Sequence, residues 1–308
     1  MPMHATEPRW LSRVEEIPSQ VEEIRLPSVD GLSQDREWCE ALMDGRTHRF
    51  RFHNYGELYK VPGLYEKLFY ESLKCCSPSR VVHLLDEVIR DSEEDPEELR
   101  VLDVGAGNGM VGDELTAIGA ERIVGIDIVQ EARDAADRDR PGVYGDYLVT
   151  DLTDLPEHEE EGLRNEDLNC LTTVAALGFG DIPPKAFAKA LDVIAVPGWL
   201  AFNIKEDFLR ERDRTGFCKL IRQLCREEVI QIQAYRRYRH RLSVAGTPLH
   251  YVAVVARKLR YLPDDIAELW EEGHRREPQG QGSGRYVGHE PGSSAGLRGS
   301  RQEGEARA

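Results

Sequence analysis

Residues 101–109 read Val-Leu-Asp-Val-Gly-Ala-Gly-Asn-Gly, and a second acid, Asp127, follows twenty residues beyond Gly107. A carboxylate near the end of a buried strand costs several kcal/mol unless something pairs with it. Asp103 is therefore bonded to local backbone or aimed at a cationic ligand. Gly105, Gly107 and Gly109 permit positive φ and let a ligand approach the backbone with no Cβ in the way. A helix beginning near Met110 would add free N–H groups to the same loop. Asp127 closes the apolar stretch Ile123-Val124-Gly125-Ile126. It can accept both hydroxyls of a ribose at a sheet edge, or simply cap a helix starting near Gln130. The chemistry on offer is the holding of a charged, ribose-bearing ligand.

Such a site needs elements to position it. Leu99, Val101, Leu102 and Val104 form a short apolar run of the kind buried on both faces of a parallel sheet. Further strands are expected at 122–127, near 143–148, from Leu168 to Thr173 and from Val196 to Phe202, with helices from 110, from 130 and after Pro183-Pro184. The last two strands differ: 229–243 and 249–258 flank Ala245-Gly246-Thr247-Pro248, a turn sequence, and read as a long antiparallel hairpin. The βα alternation predicts an α/β fold with ligands at the C-terminal strand edge and helices on both faces.

Two ligand classes use this geometry. Gly107-Asn108-Gly109-Met110-Val111-Gly112 formally matches the dinucleotide fingerprint, but counted from Gly105, the glycine that leaves the strand, the third glycine position is Met110. Asp103 would also repel a pyrophosphate, whereas an ammonium group explains it. The pattern resembles motif I of class I S-adenosylmethionine-dependent methyltransferases. Gly145-Asp146-Tyr147 through Asp151-Leu152-Thr153-Asp154 resembles the acidic loop after that superfamily's third strand. Over roughly residues 50–260 the chain is most similar to the small methyltransferases named after the Williams–Beuren region. The resemblance implies a Rossmann-like seven-stranded sheet of order 3-2-1-4-5-7-6, with strand 7 antiparallel. It implies S-adenosyl-L-methionine as cofactor: Asp103 at the methionyl ammonium, the loop Gly105, Ala106, Gly107, Asn108, Gly109 and Met110 along the methionyl backbone, and Asp127 at the ribose. Ile128 would pack on the adenine, Asp151 and Leu152 would lie at its edge, and Thr173 and Val174 would flank the transferring methyl. Two departures matter. Asn169 replaces the acid often found at the start of strand four, and Asp181-Ile182-Pro183-Pro184 is not the Asn-Pro-Pro-aromatic motif of nucleobase amine methylation.

Four segments are expected: a loosely ordered arm over 1–34, a helical, lid-like extension over 35–76, the methyltransferase domain over 77–262, and a short helix with a disordered tail over 263–308. Tyr55 and Tyr59, one helical turn apart, are the lid residues of choice, and Ser77-Pro78 should cap the next helix. Among 308 residues, 56 acids against 40 Lys and Arg give a net charge of −16, which disfavours an extended nucleic-acid surface and favours a small-molecule substrate. No apolar run suits a membrane span or signal peptide, so a cytoplasmic protein is expected. The six cysteines lack metal-ligand spacing, and no metal is expected. Tyr59, His240 and Arg241 are the catalytic candidates. His240 and Arg241 lie in the one basic-aromatic stretch, residues 235–241, which could instead be a solvent-facing strand offsetting nearby acids. The reaction expected is in-line methyl transfer to a small molecule. A nicotinamide-dependent oxidoreductase, or a protein that binds the methionine cofactor without turnover, is the competing class. The spacing leaves the oligomeric state open.

Overall fold

The computed structural model describes residues 19–28, 31–178, 181–210 and 213–263. Its N-terminal part is not the helical extension expected. β1 (Glu23–Arg25), β2 (Trp38–Met43) and β3 (Arg46–Arg51) form an antiparallel sheet in that order. Asp44 and Gly45, both at positive φ (50° and 69°), make the two-residue turn between β2 and β3, the conformation that Asp-Gly hairpin turns favour. Only then come a short helix, α1 (Tyr55–Tyr59), and a π-helical turn, Glu66–Ser72. Part of the expected loose arm is thus paired strand, since β1 lies against β2. The first eighteen residues, and the expected tail from 264 onward, lie outside the described residues.

The rest builds the α/β layer: α2 (Ser77–Asp91), β4 (Arg100–Val104), α3 (Met110–Ala117), β5 (Arg122–Asp127), α4 (Gln130–Asp139), β6 (Asp146–Val149), α5 (Glu157–Asn165), β7 (Cys170–Thr173), α6 (Pro184–Asp192), β8 (Gly198–Lys205), α7 (Phe217–Arg226), β9 (Ile230–Leu242) and β10 (Pro248–Lys258). The seven strands run in the order β6-β5-β4-β7-β8-β10-β9. Numbered from β4, that is 3-2-1-4-5-7-6. β10 lies antiparallel to both neighbours, and the other contacts are parallel. Side chains alternate across the sheet as the strand period requires. Leu102 and Val104 belong to one core with Phe187 and Leu191 of α6 and Phe217 and Leu224 of α7. Val101 faces Val82, Leu85 and Ile89 of α2 on the other side. Pro184 opens α6, where a missing N–H is harmless.

Ser77 does not cap α2, since the residue flanking the helix is Cys76. Its hydroxyl instead reaches across to β9, 2.6 Å from His240 Nδ1 and 2.7 Å from the Tyr238 hydroxyl. The N-terminal layer is anchored to the last hairpin in the same way. Leu242 N–H donates to the Leu73 carbonyl (2.7 Å), Val244 N–H donates to Glu37 (2.8 Å), and Gln34 donates to the Tyr251 hydroxyl (2.9 Å). Leu58, Leu64 and Leu68 pack with Met110 and Val244 in one core. The extension therefore sits over the C-terminal edge of the sheet.

Candidate functional site

The loop after β4 carries Gly105, Gly107 and Gly109 at φ of 72°, 55° and 90°, conformations that a side chain would strain. Gly105 and Ala106 N–H both donate to the Ile126 carbonyl, at 2.8 and 3.0 Å, which fixes the loop against β5. Asp127 completes that junction. Its Oδ2 accepts from Gly107 N–H at 3.0 Å and its Oδ1 from Val129 N–H at 3.1 Å, just before α4. The capping and ligand-holding readings of Asp127 are therefore compatible, because each carboxylate oxygen keeps a further lone pair. Burial raises its pKa, opposed by those backbone N–H bonds.

Asp103 is fully buried, and its partners are neither local backbone nor the cavity. Thr172 and Tyr144 hydroxyls donate to its two oxygens, each at 2.8 Å. Burial pushes its pKa up to about 6, against those two hydrogen bonds.

Two adjoining cavities open along this edge. The outer one, about 850 Å³, is lined by Gly105, Asp127, Ile128, Asp151, Leu152 and Ala186, among others. Ile128 is 63% exposed there, an unusual degree for an apolar side chain. Asp151 accepts from Thr153 N–H at 2.8 Å and Leu152 is buried beside it. The inner cavity, about 780 Å³, is lined by Ala106, Gly107, Asn108, Met110, His240 and Arg241, together with a wall of aromatic rings. Tyr55, Tyr59, Tyr65, Gly105, Val174, Ala175 and Asp181 line both. Thr173, Asp103 and Gly109 line neither. Thr173 is buried with its hydroxyl unpartnered, and Gly109 is the residue that opens α3.

Tyr55 and Tyr59 stack with ring centroids 6.2 Å apart, and Tyr59 meets Tyr65 at 5.0 Å. The Tyr59 hydroxyl occupies the space that a Cβ on Gly107 would need. Burial pushes the hydroxyls of Tyr55, Tyr59 and Tyr65 well above their ordinary pKa, so they stay neutral. Behind Tyr65, Glu66 joins the extension to the glycine loop. Its Oε1 accepts from Asn108 Nδ2 (2.6 Å) and from Arg140 Nη1 (2.9 Å), and Arg140 also donates to the Asn108 carbonyl (2.9 Å). Asn108 is thus occupied in holding the extension down.

His240 is buried, its ring tilted against that of Tyr251 with centroids 4.1 Å apart; burial, and then Arg241, hold its pKa well below the ordinary value. Arg241 forms a buried ion pair with Glu37 at 2.6 Å. Arg236 and Arg237 follow the plainer reading of the basic stretch, paired at 2.9 Å with Glu87 and Glu206 on the surface. Glu37, Glu66, Arg140 and Asp181 carried no local signal of their own, because each meets its partner only across the fold. Among the described residues no group of His, Cys, Asp or Glu could hold a metal ion, and no helix is long and apolar enough to cross a membrane.

Residues 102–202, from β4 into β8, match the family described as a methyltransferase domain. The matched segment thus spans the glycine loop and the strands that build the site, within the sheet of order 3-2-1-4-5-7-6. No curated protein matches it. Solved structures similar in fold include magnesium protoporphyrin IX methyltransferase from Synechocystis with bound S-adenosylmethionine (TM-score 0.41, 15% identity, 59% of this chain and 79% of that one). They include an S-adenosylmethionine-dependent methyltransferase from Mesorhizobium loti (0.39, 15%, 56% and 96%). A ribosomal protein methylase from Lactobacillus delbrueckii subsp. bulgaricus is another (0.38, 17%, 58% and 77%).

Proposed function

We propose that the protein is an S-adenosylmethionine-dependent methyltransferase of the Williams–Beuren-region type, acting on a small molecule in the cytoplasm. The observation that carries this is Asp127: a carboxylate fixed by Gly107 and Val129 N–H groups, with lone pairs to spare, on the wall of the outer cavity. Asp127 takes the ribose hydroxyls there, Ile128 covers the adenine face, and Asp151 and Leu152 meet its edge. The methionyl chain runs past Gly105, which borders both cavities, from the outer one into the inner one. A dinucleotide suits the loop less well, since the buried carboxyl of Asp103 lies close under it and no glycine occupies position 110.

The bound cofactor supplies an electrophilic methyl on a sulfonium. The protein's share is to hold a nucleophile in line, about 3 Å away, and to keep water out. Tyr55, Tyr59 and Tyr65, shared by both cavities, are placed for the second task, and Val174 borders both. Asp103, which lines neither cavity, acts on the methionyl ammonium through its field alone, from under the loop.

Titration calorimetry with S-adenosylhomocysteine, and separately with NADH, tests the reading. Micromolar binding of the former, weakened at least tenfold in Asp127→Ala, is expected. Binding of NADH alone, or of neither, refutes it.

A further inference from the structure

We propose that His240 is held as a neutral imidazole with its proton on Nε2, and that this N–H receives a carbonyl oxygen of the methyl acceptor in the inner cavity. The proposal rests on the methyltransferase reading above. His240 stands on the wall of that cavity, its ring tilted against Tyr251. A row of polar groups runs behind it, from Ala175 N–H through Asn203, Tyr238 and Ser77. Ser77, Asn203 and His240 are all buried.

One backbone amide sets the direction of every proton in that row. A backbone N–H can only donate, so the Asn203 atom 2.6 Å from Ala175 N is Oδ1, and the other amide atom is Nδ2. Nδ2 donates to the Tyr238 hydroxyl at 2.6 Å. The tyrosine's own proton then goes to Ser77 Oγ, 2.7 Å away, and the serine's goes to His240 Nδ1 at 2.6 Å. Reversing the last two bonds would leave the Tyr238 proton with no acceptor among the described residues, a cost that buried networks avoid. Cys75 Sγ, 3.9 Å from Nδ1, is a neutral thiol because burial pushes its pKa up to about 11, so no thiolate draws a proton onto that nitrogen. Nδ1 therefore accepts, and the ring's one proton sits on Nε2. Burial also disfavours the charged ring.

Nε2 has no hydrogen-bond partner among the described residues, so its N–H is left to whatever the cavity holds. An oxygen acceptor suits it, whereas an ammonium has only N–H groups to offer. A neutral carbonyl suits it better than a carboxylate, which needs a matching charge when buried. His240 stays neutral, Arg241 is already matched by Glu37, and Asp181 stands on the same wall, 3.2 Å from His53 Nδ1. The rings of Phe52, Tyr65 and Phe69 give that wall its apolar body, so the acceptor class is a ring-bearing ketone or amide. Ala175 borders both cavities. One run of bonds thus fixes both the strand end beside the methyl and the group that orients the acceptor. His240 orients the acceptor and is not its base, because Ser77 occupies the ring's lone pair. Ser77, Tyr238 and Asn203 are positioning residues that act through it.

The test uses the full chain, with nitrogen-15 in its histidine rings and saturated with S-adenosylhomocysteine, and the matched probes 1-indanone, indane, 1-aminoindane and indane-1-carboxylate. Nuclear magnetic resonance of the His240 ring, assigned through its contact with the Tyr251 ring, should show a bare Nδ1 and a protonated Nε2 at neutral pH. Tyr238→Phe takes away the serine's proton donor and should give a mixture of both tautomers, which a merely structural role would not produce. 1-Indanone should bind at least tenfold more tightly than each of the other three probes and should shift the Nε2–H resonance. His240→Phe keeps a ring against Tyr251 and should erase the preference. A protonated Nδ1 in the wild type, a tautomer unmoved in Tyr238→Phe, 1-indanone binding no tighter than indane, or a preference that survives His240→Phe would each overturn the proposal. If His240→Phe does not fold, an Nε2–H resonance indifferent to 1-indanone overturns it in the wild type. Failure to bind S-adenosylhomocysteine at all would strike the underlying reading instead, and the rings of the unliganded chain would still report the tautomer.

Discussion

Removing Glu66 should detach the extension from the glycine loop at a cost that the contacts let one work out. Glu66 and Arg140 are both buried, and Glu66 Oε1 accepts two hydrogen bonds, from Arg140 at 2.9 Å and Asn108 at 2.6 Å. Hydrogen bonds to a charged group contribute about 1.5–3 kcal/mol each, and stripping one partner from a buried ion pair costs about 3–5 kcal/mol. Asp113, with Oδ2 3.9 Å from Arg140 Nε, remains as a counter-charge and places Glu66→Ala at the lower end, about 3 kcal/mol. Glu66 Oε2 has no partner in the native state, so part of the pair's worth is already offset. In urea, with a slope of about 3 kcal/mol per M for a domain of this size, the midpoint should fall by about 1 M. Glu66→Leu with Arg140→Met should recover only part of that loss, because buried Asp113 then loses the counter-charge of Arg140. S-adenosylhomocysteine affinity should fall in Glu66→Ala as well, since Asn108 loses its anchor. A midpoint shift below about 0.3 M, or a double variant worse than both singles together, would refute the account of this link.

Three further outcomes follow from other contacts. Asp103 has a folded pKa of about 6 against about 4 when unfolded, so its contribution is fully present below pH 4 and is lost as pH rises through 6, by roughly 3 kcal/mol. Urea midpoints of wild type and Asp103→Asn, compared from pH 4 to 7, should diverge in that window, and parallel curves would contradict the burial argument. Asn203 accepts from Ala175 N–H and donates to the Tyr238 hydroxyl, each at 2.6 Å, holding Ala175 at φ 61° beside both cavities. Asn203→Ala should cost about 2 kcal/mol and weaken S-adenosylhomocysteine binding; denaturation and calorimetry check the two effects separately. Gly107→Ala should abolish that binding, and Tyr59→Phe in the same chain should restore part of it by removing the hydroxyl that a Cβ would strike. No recovery would mean that the positive φ alone forbids alanine there.

The α/β layer was legible because its signals are local. Each parallel strand is a short apolar run, every βα junction but the one after β5 carries Gly or Pro, and the hairpin turn is spelled out at 245–248. The strand order came from resemblance, since spacing cannot place β7 beside β4. The extension misled for a physical reason. The side chains of β3, Arg-Thr-His-Arg-Phe-Arg, are nearly all exposed, so no alternation marks a strand, and its pairing is set by β2. Asp44-Gly45 was the available signal. At the site, the residues at strand ends were readable, but the partners of Asp103, at positions 144 and 172, become neighbours only after the sheet forms. The same holds for His53 and Asp181, 128 residues apart.

The ties between the N-terminal layer and β9–β10 carry a consequence for synthesis. Glu37, Leu73 and Cys76 leave the ribosome long before Arg241, Leu242 and His240, the groups they bond. The glycine loop and Asp127 are made in between, and β5 can seat beside β4 without waiting for the chain's end. A nascent chain can therefore present the groups proposed to hold the nucleoside while the wall over the inner cavity still lacks its last two strands. Domains generally fold as units during synthesis, but this one cannot close its roof until the final hairpin emerges. Any tag or fusion that hinders that hairpin should leave an open, water-filled site, spoiling transfer more than nucleoside capture.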